Sequence, residues 1–224
     1  MSPRNAFLLA TLTLLAGATV LARGTRVRLP GNHVGYEPEQ PIAYSHRLHA
    51  GELGIDCQYC HFGAATSRHA GIPPASLCMN CHGQVTAGFD AVLQEREAAE
   101  REQRELRTIV SPELRKLYDA LALTQDADGL LVPDPEKEPR PIEWLRVHDL
   151  PDFTYFDHRV HVTRGIACES CHGPVQTMER VRQVETLSMG WCMNCHRDNP
   201  AVLGGPPDHH VSNDCSVCHC SRRG

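Results

Sequence analysis

The sequence has few aromatic residues, no long apolar run outside residues 6–22, and little excess of either charge. Aromatic side chains make up 5% of the 224 residues, which is too few for a large core of the usual kind. Only residues 6–22 approach the length of a transmembrane helix, so a protein with many membrane-spanning helices is excluded. The formal net charge of −5 argues against nucleic acid as the partner.

Cysteine and histidine are abundant, with 11 and 14 residues. Ten of the cysteines fall in five Cys-x-x-Cys-His segments, which we call the first to fifth sites in chain order. Random placement of these residues would give far fewer than one such segment, so the pattern reflects one repeated chemistry. The five segments are Cys57-Gln-Tyr-Cys60-His61, Cys78-Met-Asn-Cys81-His82, Cys168-Glu-Ser-Cys171-His172, Cys192-Met-Asn-Cys195-His196 and Cys215-Ser-Val-Cys218-His219.

A Cys-x-x-Cys-His segment is typical of c-type haem attachment. The two thiols reach the two vinyl groups of one porphyrin, and the next residue becomes the proximal ligand of the iron. Zinc is a weaker alternative, because structural zinc sites close with four ligands drawn from two pairs, and five pairs do not divide evenly. Disulfides would leave five histidines unexplained. We therefore expect five covalent haems c, with proximal ligands His61, His82, His172, His196 and His219.

An internal repeat relates the two halves of the chain. Tyr44-Ser-His46-Arg-Leu-His49 precedes the first and second sites, and Phe156-Asp-His158-Arg-Val-His161 precedes the third and fourth. Shared detail of this kind predicts duplication of a dihaem module, with the fifth site appended. The expected segments are an N-terminal anchor or signal at 1–28, a dihaem module at 29–88, a charged helical insertion and loop at 89–142, a second dihaem module at 143–200 and a C-terminal monohaem segment at 201–224.

Low-spin haems also need a distal ligand. Two histidines three residues apart can serve different haems, so the His-x-x-His pairs are the leading candidates. His209 and His210 adjoin the fifth site after a Gly/Pro loop. A methionine ligand would raise the potential of its haem. Met178 lies where the repeat would place a counterpart of His69, and Met189 competes with it. The candidate distal ligands are His46, His49, His69, His148, His158, His161, Met178 and Met189.

The insertion is rich in Glu, Arg, Ala and Leu, which are strong helix formers. We expect two helices, at about 90–109 and 112–122, the second with Ser111 as N-cap and Pro112 at its first position. The Pro- and Asp-rich residues 123–142 are expected to form a loop. The insertion can be a solvated charged face or a docking surface for a partner subunit.

The N-terminus combines Arg4, the apolar residues 6–22 and three following arginines. A cleaved signal peptide would use residues 6–15 as its apolar region and Ala16-Gly17-Ala18 as its processing site. A membrane anchor would use the whole stretch. Covalent haem attachment requires export, so both interpretations place the body outside the cytoplasmic membrane. Cys220 is left as a spare thiol.

Several longer runs resemble the pentahaem cytochrome c subunit of alternative complex III, and more broadly the class III, cytochrome c3-like multihaem cytochromes. They lie at residues 41–61, 70–82, 144–158, 171–178 and 187–192. The resemblance implies a mainly α fold with long loops, a haem-dominated core and an N-terminal apolar helix retained as a membrane anchor. The insertion at 84–140 is longer, and the stretch between His196 and Cys215 shorter, than in most members.

The same resemblance implies an electron-transfer subunit, not itself an enzyme, on the periplasmic side of the bacterial cytoplasmic membrane. Family members belong to a quinol-oxidising complex and carry electrons from an iron–sulfur subunit to a monohaem cytochrome, an oxidase or a soluble carrier. A multihaem reductase with one open iron and a stand-alone periplasmic electron shuttle are the alternatives. The large supply of distal candidates favours fully ligated irons and electron transfer.

Overall fold

The computed structural model describes residues 5, 9, 11–15, 17, 33–198 and 214–219, and these are rich in short helices. The chain divides into two compact units, Met1–Asn32 and His33–Gly224. The described α-helices of the second unit are α1 (Cys57–Cys60), α2 (Ala75–His82), α3 (Phe89–Glu102), α4 (Pro112–Ala120), α5 (His158–Val162), α6 (Glu169–His172), α7 (Met189–Asp198) and α8 (Cys215–Cys218). A π-helical segment spans Arg47–Glu52, and a 3-10 turn spans Val175–Thr177. The expected helix-rich chain with little sheet is confirmed.

In the first unit, residues 11–15 are helical. Across the described residues, no helix is both long and apolar enough to span a bilayer. Several sequence predictions fall on residues outside the described ranges, namely most of the signal or anchor stretch, the arginines after it, His209, His210 and Cys220.

Short helices carry the Cys-x-x-Cys pairs, and aspartate caps start two of them. The side chain of Asp56 accepts a hydrogen bond from the backbone N–H of Gln58 (2.7 Å) at the start of α1. Asp214 does the same for Ser216 (2.8 Å) at α8. Each aspartate satisfies one of the backbone donors that a helix start leaves unpaired. A cap therefore fixes the position at which the first cysteine of the pair begins its turn.

The first helix of the insertion is shorter than expected. Helix α3 ends at Glu102, because Gln103 adopts a left-handed conformation with φ of 50°. Beyond it the chain turns back, and the guanidinium of Arg104 donates to both carboxylate oxygens of Glu95. The backbone N–H of Arg107 also donates to Glu95 (2.9 Å). The predicted helix over 103–109 is therefore wrong, since local charge pairing outweighs helix propensity there.

The second half of the insertion is partly as predicted. Ser111 caps α4 through its hydroxyl, which accepts from the N–H of Leu114 (3.2 Å), and Pro112 is the first helical residue. Residues 123–142 do not form loop throughout, since β1 (Leu123–Gln125) pairs antiparallel with β2 (Leu131–Pro133). The carboxylate of Asp126 accepts from the N–H groups of two turn residues, Asp128 and Leu130. That turn makes the hairpin possible.

The hydrophobic cluster of the described chain lies between the insertion and the second site. Its buried members are Val110, Leu117 and Tyr118. Partly buried residues around it are Ile42, Ala75, Cys78, Met79, Leu114, Leu121, Leu123, Leu131 and Ile142. Because Cys78 and Met79 belong to the second site, the insertion packs on that site. The hydroxyl of Tyr118 also donates to the carbonyl oxygen of His82 (2.6 Å).

Candidate metal centres

One aromatic ring orders both histidines of the first His-x-x-His segment. Tyr44 meets His46 edge-on, with ring centroids 4.8 Å apart, and stacks on His49 at 4.4 Å. The backbone oxygen of Ser45 accepts a hydrogen bond from Nδ1 of His49 (2.9 Å). The hydroxyl of Ser45 accepts a second one from the N–H of Leu48 (3.1 Å). Ring contacts and backbone bonds together hold the two imidazoles in fixed relative positions.

Phe156 gives the second segment the same arrangement. It meets His158 edge-on at 4.9 Å and stacks on His161 at 4.5 Å. The backbone oxygen of Asp157 accepts from Nδ1 of His161 (2.8 Å), and its carboxylate accepts from the N–H of Arg159 (2.9 Å). The repeat in the sequence is therefore also a repeat in the structure.

Histidines from these segments face histidines that directly follow Cys-x-x-Cys. Two imidazoles bound to opposite sides of one metal ion have ring centroids about 6.3 Å apart, because each metal–nitrogen bond is about 2.0 Å long. Within the described residues, no group of three or more histidine, cysteine or acidic side chains is arranged to hold a metal ion by itself. Three pairs have the required spacing: His49 with His82 at 6.0 Å, His158 with His172 at 6.3 Å, and His161 with His196 at 6.2 Å.

The hydrogen bonds of the rings fix which nitrogen can bind a metal. A backbone carbonyl oxygen can only accept, so a ring nitrogen bonded to it carries the hydrogen. The other nitrogen, Nε2, then keeps the lone pair that a metal ion requires. Five histidines are fixed in this way through Nδ1: His49 by Ser45 (2.9 Å), His61 by Gly71 (2.6 Å), His82 by Val85 (2.8 Å), His158 by Arg68 (3.0 Å) and His161 by Asp157 (2.8 Å).

Burial keeps several histidines of the candidate sites neutral, and the neutral imidazole is the form that binds iron. Burial, with smaller contributions from His61 and His49, lowers the pKa of His46 to about 4. Burial, with the neighbouring His148, His158 and His61, lowers the pKa of His172 to about 3. The pKa of His161 is also lowered, mainly by burial.

The ten described motif cysteines are free thiols. Burial raises the pKa of Cys171 to about 11, with Cys195 and Cys192 adding to the shift. Burial raises the pKa of the Cys168 thiol, and the neighbouring Cys57 thiol of the first site adds to the shift. Thiols of different sites therefore lie side by side.

The remaining distal candidates differ in their surroundings. Met178 is buried, and its backbone oxygen accepts from the N–H of Arg47 (2.9 Å). Met189 and His69 are exposed. His148 lies edge-on to His172 with ring centroids 4.3 Å apart, which is closer than two ligands on opposite sides of one iron. Burial lowers the pKa of His148 to about 4, and its Nε2 is buried without a hydrogen-bond partner.

Sequence reasoning missed one contact near the sites. Tyr118 of the insertion supports His82, because its hydroxyl donates to the backbone oxygen of His82, and the helical period of α4 was a signal for the burial of Tyr118. His33, which the sequence offers as a weaker distal candidate, has its Nδ1 buried without a hydrogen-bond partner and its Nε2 3.9 Å from Asp149.

The surroundings of the sites fit a large apolar cofactor. Side chains next to the motifs are exposed in the protein chain, including Tyr59, Phe62, Phe153, Met189 and Val217. Phe153 lies beside His219 of the fifth site, with ring centroids 5.8 Å apart. Paired thiols, neutral imidazoles and apolar side chains are the donor set and surface that haem c requires.

Comparison with known proteins agrees with this donor set. Residues 154–220, which contain the third to fifth sites, match a family described as cytochrome c7 and related cytochrome c. A relative from Nitratidesulfovibrio vulgaris, the multiheme cytochrome c subunit of menaquinone reductase, is 25% identical over 203 residues, covering 82% of this chain and 78% of the relative. The chain is therefore similar to a cytochrome c family over residues 154–220, and to a multiheme cytochrome c subunit over most of its length.

Proposed function

We propose that this chain is an electron-transfer subunit that carries five covalent haems c. The observation that carries the proposal is the set of three histidine pairs at 6.0–6.3 Å, each joining a histidine after Cys-x-x-Cys to one from a His-x-x-His segment. A bound haem supplies one-electron chemistry through its iron. The two thiols of each site would anchor the haem, and the histidine that follows them would be a ligand of its iron.

The distal ligands follow from the pairs. His49 serves the second site, His158 the third and His161 the fourth. By the repeat, His46 serves the first site, and His61 is among the neighbours that lower its pKa. The 6.3 Å pair favours His158 over Met178 at the third site. His209 and His210 stay candidates for the fifth. Irons held on both sides by histidine leave no position for a substrate, which favours electron transfer over a reductase.

The chain works within a quinone-linked complex. The Nitratidesulfovibrio relative is by its description a subunit of menaquinone reductase. The resemblance to alternative complex III suggests the same setting, with an iron–sulfur subunit and a monohaem cytochrome as neighbours. The haem-bearing body lies on the outer side of the cytoplasmic membrane, and the apolar N-terminus tethers it there.

Haem content tests the proposal, and Cys218 and Cys220 provide a matched pair of variants. A pyridine haemochrome assay on mature protein should return five haems per chain. Cys218→Ser breaks a thioether pair and should leave one haem without its normal two-bond attachment, visible as a shifted haemochrome band. Cys220→Ser should change nothing. A count of four or fewer in the unmodified protein would contradict the proposal.

Carbon monoxide distinguishes electron transfer from a reductase. Added to the reduced protein, it should barely alter the Soret band, because under this proposal each iron would have both a proximal and a distal ligand. A strong shift in the unmodified protein would instead indicate an open iron and a substrate site.

A further inference from the structure

The first and second sites lie next to each other. The side-chain amide of Asn80, between the cysteines of the second site, donates to the hydroxyl of Tyr59, between those of the first (3.0 Å). Burial and the nearby Cys60 and Cys78 thiols raise the pKa of Tyr44, so all three side chains lie close together. These contacts involve residues inside both motifs.

The first site also contacts the third, which belongs to the other dihaem module. The Cys57 thiol lies close enough to that of Cys168 to add to the raised pKa of Cys168. The chain just after the first site is bonded to the start of α5. There the backbone N–H and Nδ1 of His158 both donate to the carbonyl of Arg68 (3.1 and 3.0 Å), and the N–H of Arg159 donates to Ser67 (3.3 Å).

The third and fourth sites are joined through α5. His158 and His161 lie one helical turn apart on this helix, and their rings face His172 and His196 at 6.3 and 6.2 Å. The thiol of Cys171 lies close enough to the cysteines of the fourth site for them to raise its pKa. One helix therefore spans two neighbouring sites.

The fourth and fifth sites meet at residues 155–156. The N–H of Tyr155 donates to the carbonyl of Cys218 in the fifth site (2.7 Å). The next residue, Phe156, stacks on His161, which faces His196 of the fourth site. Cys218 also contributes to the raised pKa of Cys192. Two consecutive residues thus connect the two sites.

We infer that the five sites follow one another in space in the order second, first, third, fourth, fifth. The inference rests on the proposed function, in which each site holds a haem. Spatial order then differs from chain order at one place, because the first site, not the second, adjoins the third. The ends of the line are the second and fifth sites. The insertion packs on the second site.

Iron positions in the haem-loaded full chain test the order. Anomalous diffraction at the iron edge, or a cryo-electron-microscopy map, gives all iron–iron distances, and thioether density assigns each iron to its cysteines. The four shortest distances should join second to first, first to third, third to fourth and fourth to fifth. A second-to-third distance shorter than the first-to-third distance would overturn the order.

A variant measurement separates this order from the haem assignment itself. In Cys215→Ser/Cys218→Ser, which removes both fifth-site thiols, the ferric signal of the fourth site alone should lose magnetic coupling to a neighbour in pulsed electron paramagnetic resonance. Loss of coupling at the first or second site instead would contradict the order. Fewer than five irons in the unmodified protein would contradict the proposed function, whereas five irons in another order would overturn only the inference.

Discussion

The two His-x-x-His segments have the same ring geometry on different backbones. Tyr44 and Phe156 each stack on the second histidine at 4.4 and 4.5 Å. However, eight positions separate His49 from Cys57, and seven separate His161 from Cys168. The first segment is π-helical, with Leu53 N–H bonded to the carbonyl of Leu48, whereas the second is an α-helix. The wider π turn takes up the extra residue, so the ligand positions are kept although the spacing differs.

The two dihaem modules differ more in how the first histidine of each His-x-x-His segment is supported. Nδ1 of His158 donates to the carbonyl of Arg68 in the other module, whereas Nδ1 of His46 is buried without a hydrogen-bond partner. His61 is held by the carbonyl of Gly71, whereas His172 has the ring of His148 against it. The pairing of rings is therefore preserved while the supporting contacts are not.

Replacing equivalent ligands should have the largest effect. His49→Met and His161→Met should each raise one midpoint potential by on the order of 0.1 V, since a thioether favours ferrous iron and axial ligands span about 0.8 V. Spectroelectrochemical titration measures the shift. Met178→Leu is the control and should leave every midpoint in place. If Met178→Leu moves a midpoint and removes a near-infrared band, Met178 and not His158 is the distal ligand of the third site.

Crowding the π segment should have the next largest effect. A Cβ at Gly51 would meet the backbone oxygen of Gln176, so Gly51→Ala should lower the free energy of unfolding by about 1–3 kcal/mol. Gly190, in α7, has open space around the same position, and Gly190→Ala should be neutral or stabilise by about 0.5–1 kcal/mol. Denaturant titration of the haem-loaded protein compares them. Equal effects of the two substitutions would show that the segment is not tightly packed.

The angle between the two histidine ring planes should distinguish the second site from the third and fourth in their ferric electron paramagnetic resonance signals. The planes cross at 62° in the His49–His82 pair, 32° in the His161–His196 pair and 10° in the His158–His172 pair. Nearly parallel imidazoles split the iron d orbitals more than crossed ones, and a smaller splitting raises the largest g value of the ferric signal. The second site should therefore show a larger g value than the fourth and third. Potentiometric titration of the spectra, with the two methionine variants above, assigns each signal, and a reversed order would contradict the pairing.

The smallest effect on stability is expected in the insertion, which follows the first dihaem module and has no counterpart after the second. The hydrogen bonds from Arg104 and Arg107 lower the pKa of Glu95 to about 2, below the value of about 4.3 for a free glutamate. This pair stabilises the fold above about pH 4.3, and the stabilisation disappears as the pH falls through 2. Arg104→Gln should thus be less stable than the unmodified protein at pH 7, by a small amount, with the difference shrinking on acidification. A difference in stability that stays constant across this pH range would show that Arg104 does not stabilise the fold through Glu95.

Much of this arrangement was predictable because it depends on short sequence patterns. The spacing of the motifs, the aromatic-His-x-x-His repeat and the Ser111-Pro112 helix start are local signals. The end of α3 and the hairpin were mispredicted, because Arg104 reaches back to Glu95 and Asp126 organises a turn within a Pro-rich stretch. The partner of His158 is the carbonyl of Arg68, 90 positions away along the chain, and spacing alone carries no information about contacts of that kind.

Arg47 and Met178 are joined by a backbone hydrogen bond, although one lies near the start of the chain and the other near its end. A chain that emerges N-terminus first presents His46 and His49 long before residues 175–179 arrive to pack against them. Attachment at the first site requires only its own local Cys-x-x-Cys-His. During synthesis, haem can therefore be attached there before residues 175–179 exist to pack against the segment that carries His46 and His49.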